Sequence, residues 1–260
     1  MASDAHSHPY DLSSVFSGAE AERKNLGIVC AASAWNKTDW TYNETLAENK
    51  NSPAVAMCFA VHPQAPSTTN ESTITESLEL LLHLASEKKL NAVGETGFDL
   101  FNDHYKQTED IQKKLFERHL DIALEFNLPM VLHIRRAMDN VFFYSDKLKK
   151  ISAVVFHSFS GSVEEAQAIL KKGINAYFSF GTTILLNHKK AIAACAALPR
   201  EHILFETDAP YQPLRGREYS RWADLPVIIK YAAELRGETV QELEAASDNN
   251  FLNVYNINHE

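Results

Sequence analysis

Six side chains spread along the sequence have the chemistry of metal ligands: His6 and His8, Glu95, His133, His157 and Asp208. Imidazole nitrogens and carboxylate oxygens bind borderline and hard divalent ions, and one carboxylate can span two ions through its two oxygens. His6 and His8 stand two apart in a strand-like run, which turns both rings to one face. Glu95 closes the run Asn91, Ala92, Val93, Gly94, where an ionised carboxylate is costly to bury unless metal or hydrogen bonds compensate. His133 ends Met130, Val131, Leu132; His157 ends Val154, Val155, Phe156; Asp208 follows Leu204, Phe205, Glu206, Thr207. A lone histidine so placed is more often a satisfied core residue, but the repeated pattern argues for a shared centre. Such a set performs hydrolysis with metal-activated water, Asp208 ligating an ion and taking the proton.

Several neighbours could support that chemistry. Glu206, two residues before Asp208, is placed to orient an imidazole rather than to bind an ion itself. Arg135, two past His133, can offer its planar fork to a phosphate. Arg215 and Arg217 lie on a late loop and could do the same, or pair with Glu218 or Asp224. Asp99 is placed to hold the loop after Glu95 or to pair with Arg135. Trp35, Phe98, Phe101, Tyr105, Phe159 and Tyr211 follow strand-like runs and could stack on nucleobases or close the top of the fold.

The elements that must position these residues alternate. Short apolar runs at residues 2–8, 27–32, 54–61, 91–95, 129–134, 153–157, 175–180 and 202–207 predict eight strands. Between them, residues 73–88 carry Ile74, Leu78, Leu81, Leu82 and Ala85 on one helical face, and residues 111–126 repeat the pattern through Leu115, Phe116, Leu120 and Ala123. Ser162 with Glu165, and Thr239 with Glu242, form capping-box pairs for helices at 163–171 and 239–255, and Gly173 ends the first. Further helices are expected at 189–198 and 225–236. Eight strands alternating with helices predict an α/β fold of the (β/α)8 TIM-barrel type, with ligands delivered at one rim. An open doubly wound sheet is the competitor, although no glycine-rich phosphate loop follows the first strand.

Composition fits one domain over residues 1–260. The 260 residues are 45% hydrophobic, with nine Gly and nine Pro dispersed and no low-complexity linker. No apolar run approaches the length of a membrane span, and the N-terminus lacks the basic-then-apolar order of a secretory signal. Cys30, Cys58 and Cys195 form no paired motif, so a reducing, cytoplasmic setting is expected. With 25 basic and 34 acidic residues the formal net charge is −9. That argues against a general nucleic-acid coating protein, whose affinity comes from neutralising phosphates, but not against an enzyme gripping a nucleic-acid end through metals.

The motifs, taken in order, resemble the TatD-family metal-dependent deoxyribonucleases, a branch of the amidohydrolase-like TIM barrels. The resemblance runs from Asp4-Ala5-His6-Ser7-His8 through Val61-His62-Pro63 to Gly94-Glu95-Thr96-Gly97-Phe98-Asp99. It continues through Gln112 and Phe116, Leu128 to Arg135, Phe156 to Ser162, Glu206-Thr207-Asp208-Ala209-Pro210-Tyr211 and Arg215-Gly216. It implies a barrel with two divalent ions (Mg²⁺, Mn²⁺ or Zn²⁺) held by His6, His8, Glu95, His133, His157 and Asp208. It also implies hydrolysis of DNA or a short oligonucleotide, 3′–5′ exonuclease-like, with His62 near the substrate phosphate and no obligate protein partner. A metal-dependent amidohydrolase or esterase, acting on a small molecule or an aminoacyl ester, would use the same six ligands. The sequence departs from the family pattern at Pro9, at Glu218 to Trp222 and at Asn250 to Tyr255, outside the six ligands.

Overall fold

The computed structural model describes residues 2–257. All eight expected strands form: β1 Ser3–Ser7, β2 Val29–Ala34, β3 Val55–Phe59, β4 Ala92–Asp99, β5 Met130–Arg135, β6 Val154–Phe156, β7 Ala176–Phe180 and β8 Ile203–Phe205. Each pairs in parallel with the next in sequence. The ring closes just beyond β8, where the Asp208 N–H donates to the His6 carbonyl (3.0 Å) and the His8 N–H to the Ala209 carbonyl (2.8 Å). This sequential, closed order is that of a (β/α)8 barrel and excludes the open doubly wound sheet.

Inward and outward residues alternate as a strand period of two requires. Val29 and Ala31, Ala56 and Cys58, and Ala153 and Val155 belong to an inner cluster. Cys30, Met57 and Val154, between them in sequence, pack outward against the helices. The inner set is rich in alanine, and the space so left is filled from below by Phe251, Val254 and Tyr255 of the last helix, Val240–Tyr255. The Tyr255 hydroxyl donates to the Ala5 carbonyl (2.7 Å), its own carbonyl accepts from Asn91 Nδ2 (2.8 Å), and Asn250 Nδ2 donates to Ile203 (2.8 Å). The barrel is thus plugged at the strands' N-terminal ends and open at their C-terminal ends.

The outer helices include those expected, with ends shifted by a residue or two. Glu71–Ser86 is capped by Asn70, Glu109–Glu125 buries Leu115, Phe116, Leu120 and Ala123, and Val163–Lys171 carries the Ser162–Glu165 capping box. Lys189–Ala197 and Leu225–Arg236 follow, and Thr239–Glu242 caps the last helix. Pro9–Val15, Ala19–Leu26 and Lys37–Ala47 are further helices in the first third of the chain. No described helix is long and apolar enough to cross a membrane.

Candidate metal centre

Two local irregularities aim the first ligands. Between Asp4 and Ser7, β1 advances three residues while β2 advances two, and β4 does the same against β5 between Val93 and Thr96. Each shift is a bulge that turns a side chain off the regular alternation, one beside His6 and one at Glu95. His6 and His8 therefore meet through a bulge and the end of β1, not through plain alternation along a strand. Asp4 secures the first bulge: its carboxylate accepts from the His6 N–H (3.2 Å), the Thr207 N–H (3.1 Å) and the Thr207 hydroxyl (2.7 Å). At the second, Gly97 has φ +138° and a Cβ there would lie 2.2 Å from the His133 carbonyl. Only glycine admits that close approach of β4 to β5.

All six sequence-predicted ligands converge at the open mouth, in two groups that share Glu95. His6 Nε2 and His8 Nε2 are 3.1 Å apart. They lie 3.2 and 3.4 Å from Glu95 Oε2 and 3.6 and 3.5 Å from Asp208 Oδ1. On the other side, His133 Nδ1 and His157 Nε2 are 3.2 Å apart and lie 2.7 and 2.9 Å from Glu95 Oε1. Metal–ligand bonds of about 2.1 Å place neighbouring donors about 3.0–3.4 Å apart in octahedral or tetrahedral sites. Both groups have approximately that spacing, and in each one contact brings together two imidazole nitrogens that can share at most one proton. The donor set suits divalent cations.

The electrostatics fit the same reading. Burial would raise the Glu95 pKa, but the imidazoles of His62, His157 and His6 around it, with the hydrogen bond to His133, hold the carboxyl well below the usual range. Asp208 is lowered too, burial being outweighed by His8, His157 and His6. His6 is pushed toward the neutral form by burial and by His157. Burial also opposes a charge on His8, yet Asp208 and Glu95 raise it to about 10. His157 is likewise raised by Glu95 and Glu206 against its burial. Protons here balance buried carboxylates, the task a bound cation would take over, with proton release.

A surrounding layer fixes the rings. His133 Nε2 faces Asp99 Oδ2 (3.1 Å), leaving Nδ1 for the site, and His157 Nδ1 faces Glu206 Oε1 (3.3 Å), leaving Nε2. Glu206 Oε1 also accepts from the Ser158 N–H (2.8 Å). Asp99 holds its loop through the Phe101 N–H (2.9 Å) and accepts from Gln64 Nε2 (2.7 Å); burial would raise it, but His133 and Gln64 pull it down to about 2. Asp208 Oδ2 accepts from Gln212 Nε2 (2.6 Å). Ser158, Asp208 and Gln212 all have positive φ, near 46–53°, a conformation that persists only when its surroundings over-determine it.

His62 lies beside the centre, its Nε2 3.1 Å from Glu95 Oε1, and burial favours its neutral form. Arg135 lies at the rim, its Nη1 3.8 Å from Asp99 Oδ2 and its guanidinium 3.6 Å from the Phe101 ring centroid. Arg217 pairs with Asp224, and Arg215 is exposed; neither lines the cleft. Among the aromatics, Phe98 is buried against Phe116 and Tyr144, and Phe159 against Phe178, so neither is free to meet a base. Trp35 and Tyr211 do line the cleft, which has a volume of about 650 Å³. Sequence reasoning missed Gln64 and Gln212, though each directly follows a quoted motif, and His188 in the cleft wall, which no pattern marked.

A family model described as TatD related DNase matches residues 3–256. The chain is 31% identical over 192 residues, 70% of this chain and 72% of the relative, to YabD of Bacillus subtilis, named an uncharacterized metal-dependent hydrolase. It is 32% identical over 207 residues, 76% of each chain, to the 3′-5′ ssDNA/RNA exonuclease TatD of Escherichia fergusonii. Among solved structures, the TatD homolog YjjV from Escherichia coli K12 superposes with a TM-score of 0.84 at 26% identity, covering 98% of each chain. Dihydroorotase from Campylobacter jejuni, with a TM-score of 0.64 at 12% identity over 100% of this chain and 84% of that one, shares the fold alone.

Proposed function

Because the chain belongs to the TatD-related DNase family, we propose that it is a two-metal phosphodiesterase trimming DNA or short oligonucleotides from the 3′ end. The observation that carries this reading is the two-sided Glu95, one oxygen facing His6 and His8 and the other His133 and His157. In this assignment His6, His8, Asp208 and Glu95 would hold one ion, and His133, His157 and Glu95 would hold the other. Mg²⁺, Mn²⁺ or Zn²⁺ would supply Lewis acidity, an activated water and charge for the departing alkoxide.

The residues of the chain do the rest. Asp208 is ionised at neutral pH and, kept in place by Gln212, accepts a proton from the attacking water. His62, neutral and beside Glu95, presents its ring to the substrate phosphate. Arg135 meets a phosphate oxygen with its planar fork. Trp35 and Tyr211 offer faces on which a terminal base can rest without regard to identity. The proposed setting is the cytoplasm, supported by three free, buried cysteines, and the barrel is proposed to act as one domain without an obligate protein partner.

The test is a panel of 3′- and 5′-labelled oligonucleotides beside simple esters and amides, with metal-stripped protein and with Mg²⁺ or Mn²⁺ restored. Metal-dependent shortening from the 3′ end is expected. Cleavage of esters or amides with the oligonucleotides left intact would replace this reading with an amidohydrolase or esterase.

A further inference from the structure

Just past the metal centre, Phe101 carries two guanidinium groups. Arg135 and Arg136 stand over its ring, 3.6 and 4.5 Å from the centroid. Arg136 reaches this position from a left-handed backbone conformation, φ +56°, and donates Nη1 to the Phe101 carbonyl at 3.0 Å. Among the described residues it has no carboxylate partner, and its other donors point to no protein acceptor. Arg135 has only the long contact to Asp99, a carboxylate already engaged by His133 and Gln64. Two cations sharing one ring repel each other, and an acidic chain of net charge −9 has ample carboxylate to pair them. Here they are kept together, exposed, on an aromatic platform.

We propose that Arg136, held on Phe101 beside Arg135, binds the phosphate next to the one being cleaved, making the preferred substrate an oligonucleotide with at least two phosphates. This rests on the phosphodiesterase reading and extends it. Arg135 follows His133 by two residues on β5, about 7 Å along the strand on the same face, so the cations lie one step outward from the ligands. Each guanidinium presents planar N–H donors that match phosphate oxygens, and the Phe101 ring limits the freedom each would lose on binding. Phe101 is itself 39% exposed, so its edge stays open to the strand.

The test compares thymidine 5′-(4-nitrophenyl phosphate), with one phosphodiester, and a five-residue oligothymidylate, for the wild type, Arg136→Gln and Phe101→Leu with Mn²⁺. The ratio of kcat/KM, oligonucleotide over single diester, should fall about tenfold in Arg136→Gln and in the same direction in Phe101→Leu. The slope of log kcat/KM for the oligonucleotide against log salt should shrink by about 0.7, one phosphate's share for a single strand. In parallel, fluorescence anisotropy follows binding of a cleavage-resistant, phosphorothioate-linked oligothymidylate. A wild type that cleaves neither substrate, yet whose binding weakens on Arg136→Gln, would remove the phosphodiesterase reading and keep the subsite. Cleavage of both substrates with ratio and salt slope unchanged in Arg136→Gln would remove the subsite and keep the reading.

Discussion

At Glu95 a single buried carboxylate faces four imidazoles within 3.2 Å, those of His133, His157 and His62 through Oε1 and that of His6 through Oε2. Alanine there would leave both groups of imidazoles without the carboxylate they share. Glu95→Ala should therefore lower turnover about a thousandfold, the several kcal/mol that metal-assisted catalysis contributes. The fold should survive, because the closed ladder of strands and the apolar core, not the centre, hold the barrel; far-UV circular dichroism and thermal melting check this. Asp208→Ala should behave alike, and near-normal rates in either folded variant would refute its assigned role. The six candidate ligands were legible in the sequence because most of them close a short apolar run, where few polar residues belong. Gln64, Gln212 and Asp4 were less legible as site residues, since an amide or carboxyl in a loop or strand start has many ordinary uses. Only the folded chain shows them bonded to Asp99, Asp208 and Thr207.

At the level of elements, strand ends and the helix behind them are tied together by His119, wholly buried in Glu109–Glu125. Its Nε2 accepts from the Val61 N–H (3.1 Å), so the ring proton sits on Nδ1, which donates to the Thr96 hydroxyl (2.6 Å). These bonds fix the segments that carry His62 and Glu95. Burial, with the charge of Arg118, lowers the His119 pKa to about 3 from the usual 6.5. The unfolded chain thus binds a proton that the folded chain refuses. Stability from this residue is fully present above pH 6.5 and is lost as pH falls from 6.5 toward 3, by about 1.4 kcal/mol per pH unit. Urea unfolding across that range should show a slope of that size removed in His119→Gln; an identical pH dependence in the variant would contradict the assignment. Gly97→Ala makes a sharper structural test, since its Cβ would strike the His133 carbonyl. It should destabilise by a few kcal/mol or displace His133. Eight strands could be expected from short apolar runs, and the helix ends from caps such as Ser162 and Thr239. The bulges at His6 and Glu95 could not, because an extra strand residue shows itself only against its partner strand.

Over the whole molecule, the two ends of the barrel divide the work. The N-terminal end is sealed by Phe251, Val254 and Tyr255 against an alanine-rich interior, while the C-terminal end stays open around the ligands. Tyr255→Ala should cost about 3–5 kcal/mol of stability, as large-to-small changes of buried aromatics do. Whatever protein remains folded should keep its kcat, because Tyr255 touches no cleft residue; a loss of kcat without loss of stability would argue against this division. The sequence suggested aromatic stacking at the mouth more broadly than the fold allows: Phe98 and Phe159 are spent on packing, while Trp35 and Tyr211 remain in the cleft. An apolar ring after a strand carries no mark of which side of the barrel wall it will occupy. The central claim, two cations joined through one glutamate, is tested most directly by anomalous diffraction from crystals grown with Mn²⁺. Two peaks should flank the Glu95 carboxylate, one toward His6, His8 and Asp208 and the other toward His133 and His157. Mn²⁺ peaks elsewhere on the surface, with none at Glu95, would contradict the account.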